Sequence, residues 1–443
     1  MRFSLPGIRI PHKKNTAHSV PVMISAPSEV TIPLSMHIGR SASPVVKAGD
    51  KVFVGTVIGA AEEGVCAPVH SSVSGEVVKI TEILTQSGSR APAVVIRSDG
   101  EMVSDPAIAA PTVTTKEELI AAVKASGVVG LGGAGFPTHV KLSLPEDVTV
   151  SELIVNAAEC EPYITSDTRT MIDRADDIEY ALDKMTELFG FERVIIGIEK
   201  NKPEAIAAMQ KLSESNPKIS VKVLPALYPQ GGEKVLVYNT TGKVIPAGKL
   251  PFHVGCIVIN CTTVAAIGNY LKTGIPLVKK CVTVDGSSVR EPMNLIVPIG
   301  TPISYLFDHV GGFVSEPKRI ILGGPMMGVA VISTDVPVTK TVNAVLALDE
   351  KEAQLKKETA CIRCGACTNT CPLSLSPAAL YRAYRMKNIA ELERLRVDIC
   401  MECGTCSYVC PAAKPLAETH RLSKTALREH REAEQKRKEA LDK

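Results

Sequence analysis

The chain has 443 residues, 45% of them apolar, and a formal charge of only +3. That length exceeds one ordinary domain and points to three or four, with apolar material for several cores. The near-neutral balance and the absence of Trp exclude a dedicated nucleic-acid binder, which would show a concentrated basic face.

Residues 1–20 are polar and proline-punctuated and read as an arm. The opening MRFSLPGIRIPHKKN lacks the apolar core of a signal peptide, and no stretch reaches the ~18 apolar residues of a membrane span. The expectation is a cytoplasmic protein that docks peripherally on a membrane partner. Residues 21–100 alternate β-branched runs (VTIPL, KVFVGTVIG, GEVVKI, AVVIRS) with Gly, Pro and Ser turns, the pattern of a small all-β module. The stretch VVKAGDKVFVGTVIGAAEEGVCAPVHSSVSGEVVKI resembles the barrel-sandwich fold of biotinyl and lipoyl domains. No carrier lysine stands in the His70–Gly75 hairpin, so this reads as a docking module. Residues 101–114, rich in Pro and Thr, form a linker.

From 115 to 275, helical patterns (KEELIAAVKASG, DDIEYALDKMTELFG, KPEAIAAMQKL) alternate with the apolar strands ELIVNA, RVIIGIE, VKVLPA and CIVIN. This is an α/β domain and the candidate cofactor binder. Residues 276–345 read as a small α+β unit, 346–420 as a cysteine-rich helical segment, and 421–443 as a charged helical tail with a solvated face.

Eight of the thirteen cysteines fall in that segment, in two runs. Cys361, Cys364, Cys367 and Cys371-Pro372 repeat as Cys400, Cys403, Cys406 and Cys410-Pro411. This is the two-cluster ferredoxin spacing, in which the fourth cysteine of each run reaches the other cluster. One [4Fe-4S] cluster is therefore assigned Cys361, Cys364, Cys367 and Cys410, and the other Cys400, Cys403, Cys406 and Cys371. Small residues beside the ligands (Gly365, Ala366, Gly404, Thr405) let backbone N–H groups approach the sulfurs. Leu380, Ala383 and Tyr384 share one face of an intervening helix. Structural zinc is the alternative, but the triple C-x2-C-x2-C and the trailing Cys-Pro are foreign to zinc knuckles. Cys66, Cys160, Cys256, Cys261 and Cys281 read as small buried hydrophobes.

Four further stretches place polar or glycine residues at strand ends, where α/β sheets hold their ligands. GVVGLGGAGFPTHVK contains Gly130, Gly132, Gly133 and Gly135, with Phe136 and Lys141 following. A helix rather than a strand leads into it, so it is not a Rossmann turn, yet its N–H groups suit a phosphate. IVNAAECEPY supplies Asn156, Glu159 and Glu161; YPQGGEK supplies Gly231, Gly232 and Glu233; INCTTVAAI supplies Asn260 and Thr263. Together they suggest one convergent pocket.

These motifs, with IPLSMHIG, APVHSSVSGEV, IILGGPMMG and the CIRCGAC/CMECGTC pair, resemble the C subunit of the Rnf ion-translocating electron transport complex. Its flavin domain is shared with the flavoprotein subunit of respiratory complex I. The resemblance implies a multidomain α/β and α+β chain: barrel-sandwich module, FMN/NADH domain, β-grasp (SLBB) domain and helical ferredoxin-like dicluster domain. It implies NADH as substrate and FMN as cofactor. Gly130, Gly132, Gly133, Gly135 and Lys141 would hold the flavin phosphate side, with Asn156, Asn260 and Thr263 nearer the ring and ribityl chain. Phe136, Glu161 and Glu233 would face the nicotinamide nucleotide, and hydride transfer at the flavin needs no catalytic side chain. Ala158 and Gly232 depart from the complex I pattern, which is acidic at both places. Implied partners are the ferredoxin-like B subunit and the membrane subunits, NADH or NAD+, and, indirectly, ferredoxin, on the cytoplasmic face of the membrane. A microcompartment cobalamin reductase shares these parts except for the leading β module, and a nucleotide-free electron-transfer adaptor is the third reading.

Overall fold

The computed structural model describes residues 5–85, 88–145 and 147–441. Two small sheets form the N-terminal β module. One runs in the order Glu29–Pro33, Arg90–Ser98, Gly75–Leu84, Lys51–Val52; the other joins Ser43–Pro44, Val57–Ala60 and Val69–His70. Val30, Ile32, Val94 and Ile96 alternate into its core, each with no exposed surface, as expected of antiparallel strands with one buried face.

The next unit is a four-stranded parallel sheet, ordered Ile219–Leu224, Arg193–Glu199, Glu152–Ala157, Cys256–Asn260. Helices cover it, and its central strand reads as a continuous apolar run because both faces are buried: Leu153, Ile154 and Val155 are all fully enclosed. Burying each such side chain contributes about 1.5–3 kcal/mol. The leading helix Lys116–Ala125 starts on a capping box in which Thr115 Oγ1 accepts from Glu118 N and the Glu118 carboxylate accepts from Thr115 N. The register sets Asn156 directly beside Asn260 at the carboxyl ends of adjacent strands.

A six-stranded mixed sheet follows, in the order Val22–Met23, Met293–Pro298, Lys279–Asp285, Ala344–Leu348, Arg319–Leu322, Val329–Val331, with helix Ile303–His309 packed on it. Two of its features lie outside 276–345. Its strand Ala344–Leu348 runs on past that range, and Val22–Met23, from the start of the chain, adds an edge strand.

The opening segment lies along the parallel-sheet domain and the six-stranded sheet. Ile8 bridges Tyr228, and Lys14 Nζ donates to the carbonyls of Glu159 (2.8 Å), Glu161 (2.8 Å) and Ile164 (2.6 Å).

The C-terminal unit is helical: Ala366–Asn369, Pro377–Arg385, Ile389–Arg394, Thr405–Tyr408 and Leu416–Leu441. Its core gathers Leu375, Leu380, Ala383, Leu392, Val397 and Leu427, with Tyr384 packed against it. The last helix thus begins before residue 421, and its first turns are packed: Thr419, His420, Ser423 and Leu427 are buried, whereas residues 428–440 are exposed. Among the described residues no helix is long and apolar enough to cross a membrane.

Candidate functional site

The glycine loop is pinched at its neck, where Gly130 N donates to Phe136 O at 2.9 Å. A short helix, Thr138–Leu142, opens directly after Pro137. Between these points Gly132, Gly133 and Ala134 are exposed, Gly135 is buried and Phe136 is half-buried. Leu131 N donates to Thr263 Oγ1 at 2.9 Å, which ties the loop to the first turn of helix Cys261–Thr273. Asn260 caps that helix by accepting from Thr263 N at 3.2 Å. Its amide donates to Asp167 Oδ2 at 2.7 Å, and Thr262 Oγ1 donates to Asp167 Oδ1 at 2.6 Å.

The loop backs so closely on this group that a Cβ added at Gly132 would lie 2.3 Å from Asn260 Nδ2; Gly133 has open space. Exposed backbone N–H groups over a polar floor, with room on the open side, fit the phosphate and ribityl chain of FMN.

The other strand ends join this floor in sequence. Asn156 Nδ2 donates to Gly231 O at 2.8 Å, and Gly231 N donates to Cys160 Sγ at 3.4 Å. Gly232 opens helix Glu233–Thr241. Lys141 Nζ is shared between Glu233 Oε1 and Val258 O, both at 2.9 Å, so Lys141 and Glu233 meet each other across the site. Glu159 turns inward: its carboxylate accepts from Asp167 N at 2.6 Å and Thr168 N at 3.3 Å, at the start of helix Ser166–Asp173. Burial pushes its carboxyl up to about 6, opposed by Lys14. Glu161 Oε2 accepts from Met326 N at 3.0 Å, while Oε1 is buried with no hydrogen-bond partner. Burial pushes that carboxyl up to about 7.

The two cysteine runs fold alike, 39 residues apart. Arg363, Gly365 and Ser374 take positive φ (55°, 76°, 54°), and so do Glu402, Gly404 and Ala413 (58°, 79°, 51°). Leu375 N donates to Cys371 Sγ at 3.4 Å and Lys414 N to Cys410 Sγ at 3.5 Å. Cys371 lines one small pocket together with Cys400, Cys403 and Cys406. Cys371 of the first run thus lies beside three cysteines of the second. Thr359 N donates to Ala412 O at 3.0 Å, which lays the approach to Cys361 alongside the chain beyond Cys410. Cys361 and Cys364 are exposed, and Cys367 and Cys410 half-buried.

Among the described residues no three His, Cys, Asp or Glu side chains converge tightly enough for a single ion; the second set surrounds one small pocket instead. A ring of four thiols about a cavity, with N–H donors on the sulfurs, fits a [4Fe-4S] cluster. Burial raises the Cys400 thiol to about 11 and the Cys406 thiol to about 12, so binding iron must displace their protons.

The flavin-type domain and the second cysteine loop meet directly. Tyr228 Oη donates to Cys403 O at 2.6 Å, and Met401 Cε occupies the space a side chain at Gly232 would need, 2.0 Å from an added Cβ. Tyr228, Cys403, Ile8 and Ile10 form one buried cluster, flanked by Cys160, Met326 and Met401. Sequence reasoning missed Tyr228, Asp167 and the place of Cys160 at the floor. The available signal was adjacency, since Tyr228 opens YPQGGEK and Cys160 lies inside VNAAECEPY. A second cavity, of about 470 Å³, is lined by Lys222, Leu224, Gln230, Tyr238 and Thr241 among others, with no residue of the glycine loop in its lining.

Four family models match in chain order: the RnfC barrel sandwich hybrid domain over residues 3–101, the Nuo51 FMN-binding domain over 123–269, the SLBB domain over 281–330 and the 4Fe-4S dicluster domain over 358–414. The chain is 41% identical over 84% of its length to the C subunit of the Na(+)-translocating ferredoxin:NAD(+) oxidoreductase complex of Acetobacterium woodii, covering 85% of that protein. It is 39% identical over 83% of its length to the proton-translocating counterpart of Clostridium ljungdahlii, covering 81% of it. It is 40% identical over 85% to the C subunit of the ion-translocating oxidoreductase complex of Rhodobacter capsulatus, covering 74% of it. A chain of an NAD+-reducing [NiFe]-hydrogenase in the H2-reduced state shares the fold over 72% of this chain and 63% of its own, with a TM-score of 0.51 and 17% identity. With these relatives and this order of domains, the chain belongs to the RnfC family, the C subunits of ion-translocating oxidoreductase complexes.

Proposed function

We propose that this chain is the nicotinamide-side subunit of an Rnf-type complex, an oxidoreductase that exchanges electrons with NADH and relays them singly between its FMN and two [4Fe-4S] clusters. The observation that carries this reading is the direct seat of the second cysteine loop on the turn that closes the flavin-type site, through Tyr228–Cys403 and Met401–Gly232. Bound FMN supplies the exchange between hydride, taken as a pair of electrons, and single-electron carriers.

The chain's own residues do the positioning. Gly132, Gly133 and Gly135 would offer backbone N–H groups to the phosphate, while Gly130, whose own N–H is held by Phe136 O, closes the neck of their loop. Asn156, Asn260 and Thr263 form the polar floor, with Asp167 fixing the Asn260 amide. Glu161 is placed with a buried, unpartnered oxygen beside this region, and Phe136 offers a half-buried ring for the nicotinamide side. Lys141 and Glu233 neutralise each other at 2.9 Å, and a nucleotide phosphate would compete with Glu233 for that ammonium. Cys361, Cys364, Cys367 and Cys410 would hold one cluster, and Cys371, Cys400, Cys403 and Cys406 the other.

The relatives translocate Na+ or protons with ferredoxin and NAD+ as redox partners by name. By that likeness this chain works with the other Rnf subunits, peripherally and on the cytoplasmic face. The leading β module matches the RnfC domain, which favours this reading over a cobalamin reductase, and the flavin-domain match disfavours a nucleotide-free adaptor.

Anaerobic purification with iron, sulfide and flavin counts, followed by an NADH titration read optically and by EPR, tests it. Flavin bleaching with reduction of both clusters is expected. A chain with iron and sulfide that neither takes up FMN nor responds to NADH would overturn it.

A further inference from the structure

The two ligand loops are copies in backbone but not in surroundings. In the second loop the residue after the first cysteine, Met401, plugs against Gly232, and the next, Glu402, is held by Arg421 Nε at 2.9 Å and Lys424 Nζ at 2.6 Å. Cys403 and Cys406 are buried there, and Gly404 sits under the Met326 carbonyl, 2.9 Å from where a Cβ would lie. The equivalent positions of the first loop are Ile362 and Arg363. Ile362 is 68% exposed, Arg363 is exposed, and Cys361 and Cys364 are exposed with them. Among the described residues Arg363 has no ion-pair partner, nor do the neighbouring exposed Lys356 and Lys357; Glu358, the acid in their midst, is taken by Lys414 at 2.7 Å.

From this broken symmetry we propose that the first loop is the electron-transfer docking face of the chain. Ile362 enters an apolar socket, and Arg363, Lys356 and Lys357 meet carboxylates on a partner protein that carries a one-electron redox centre. The second loop shows what such a contact looks like when complete, because there the same backbone is seated on the flavin domain. An exposed apolar residue flanked by unpaired cations next to two exposed cysteines has the composition of an interface whose charges steer encounter and whose apolar centre holds it. With the groups bound, the buried loop would stand between the flavin site and the exposed loop, and the exposed loop between the buried one and this face.

The inference rests on the relay reading above, and the experiment separates the two. A photo-crosslinking benzoylphenylalanine is placed at Ile362 in the assembled complex in native membranes, and the adduct is identified by mass spectrometry. In parallel, the double variant Ile362→Asn with Arg363→Glu is compared with wild type. The expected adduct joins this chain to a subunit that itself holds a flavin or iron–sulfur centre. The variant should retain its iron, its EPR signals and NADH-driven flavin bleaching, while electron delivery into the complex falls roughly tenfold and loses its salt dependence. No adduct, an adduct to a subunit without a redox centre, or a variant that delivers electrons normally would overturn the docking face. Failure of the wild-type chain to hold clusters that NADH reduces would instead overturn the relay reading, and this inference with it.

Discussion

The Tyr228 hydroxyl donates to the carbonyl oxygen of Cys403 at 2.6 Å, across the boundary between the flavin-type domain and the second cysteine loop. Tyr228 is 1% exposed, so water cannot replace the bond. The Glu161 carboxyl lies beside the same hydroxyl, but the one hydroxyl proton is committed to Cys403.

Removing that hydroxyl is therefore informative. Tyr228→Phe keeps the ring and strands the Cys403 carbonyl in a dry junction, at a cost of about 1–3 kcal/mol. Iron and flavin content should be retained. The dipole of a ligand's own peptide changes, and about 1 kcal/mol felt by one redox state corresponds to roughly 40 mV for a one-electron centre. A redox titration followed by EPR should shift the cluster of the second loop on that scale and leave the other in place. Equal shifts of both, or none, would show that the bond only fastens the domains.

The cysteine grouping gives a sharper outcome. Cys371 belongs by sequence to the first run but lines the cavity of Cys400, Cys403 and Cys406. Cys371→Ala should lose about half the iron, and the missing EPR signal should be that of the buried cluster. Cys410→Ala should remove the other signal. If Cys371→Ala abolished the cluster of its own run instead, the ligation would be uncrossed.

Why these groupings were legible and others were not follows from how far each signal extends along the chain. The cysteine spacing is local and chemically distinctive, so the two runs stand out in the sequence alone, and the fold lays Cys371 beside Cys400, Cys403 and Cys406. The strands ELIVNA, RVIIGIE and CIVIN were legible because both faces of a parallel sheet are buried and the run is continuously apolar. The partners of Lys14, Lys280 and Lys340 were not legible. Their charge reads as surface, and only the tertiary fold brings Lys14 to three carbonyls some 150 residues away. Val22–Met23 is likewise too short to signal a strand, and its pairing partner lies at Leu295–Ile296. Tyr228 carries no local signal, because nothing near it in the chain says that a cysteine loop 175 residues on will cover it.

The glycine loop offers a direct test of the flavin site. Gly132 is exposed on one side but backs onto Asn260, where a Cβ would lie 2.3 Å from Nδ2 and 2.7 Å from Cγ. Gly132→Ala must push the Asn260 amide off Asp167 or lift the loop. Purified variant should carry less FMN, with iron unchanged, and added FMN should bind at least about tenfold more weakly, a loss of ~1.4 kcal/mol. Gly133→Ala, where the space is open, is the control and should bind FMN nearly as wild type does. Equal effects at both positions would remove the loop's claim on the phosphate.

Lys340 ties three domains together and makes their joint sensitive to pH. Lys340 Nζ is fully enclosed and donates to Pro68 O and Gly127 O, both at 2.7 Å. Lys280 Nζ donates in turn to Lys340 O and Leu131 O at 2.9 Å, which runs the chain of contacts into the glycine loop. A neutral amine has two N–H groups, and Lys340 has two carbonyl partners. Burial without a paired carboxylate pushes its ammonium down to about 7, and His70 and His37 face it with their own values lowered. Between about 7 and its usual 10.5 the unfolded chain holds the Lys340 proton and the folded chain does not. Stability from this group therefore rises with pH across that window and is gone once pH has fallen to about 7, where the folded state takes on a buried charge. Lys340→Met removes the two hydrogen bonds and the proton dependence together. The difference in Tm between wild type and variant should therefore widen in favour of wild type from pH 7 to pH 9, while Lys280, present in both, cancels. A difference that stays constant across that range would mean that Lys340 keeps its proton in the fold, held by its two carbonyls as a buried ammonium.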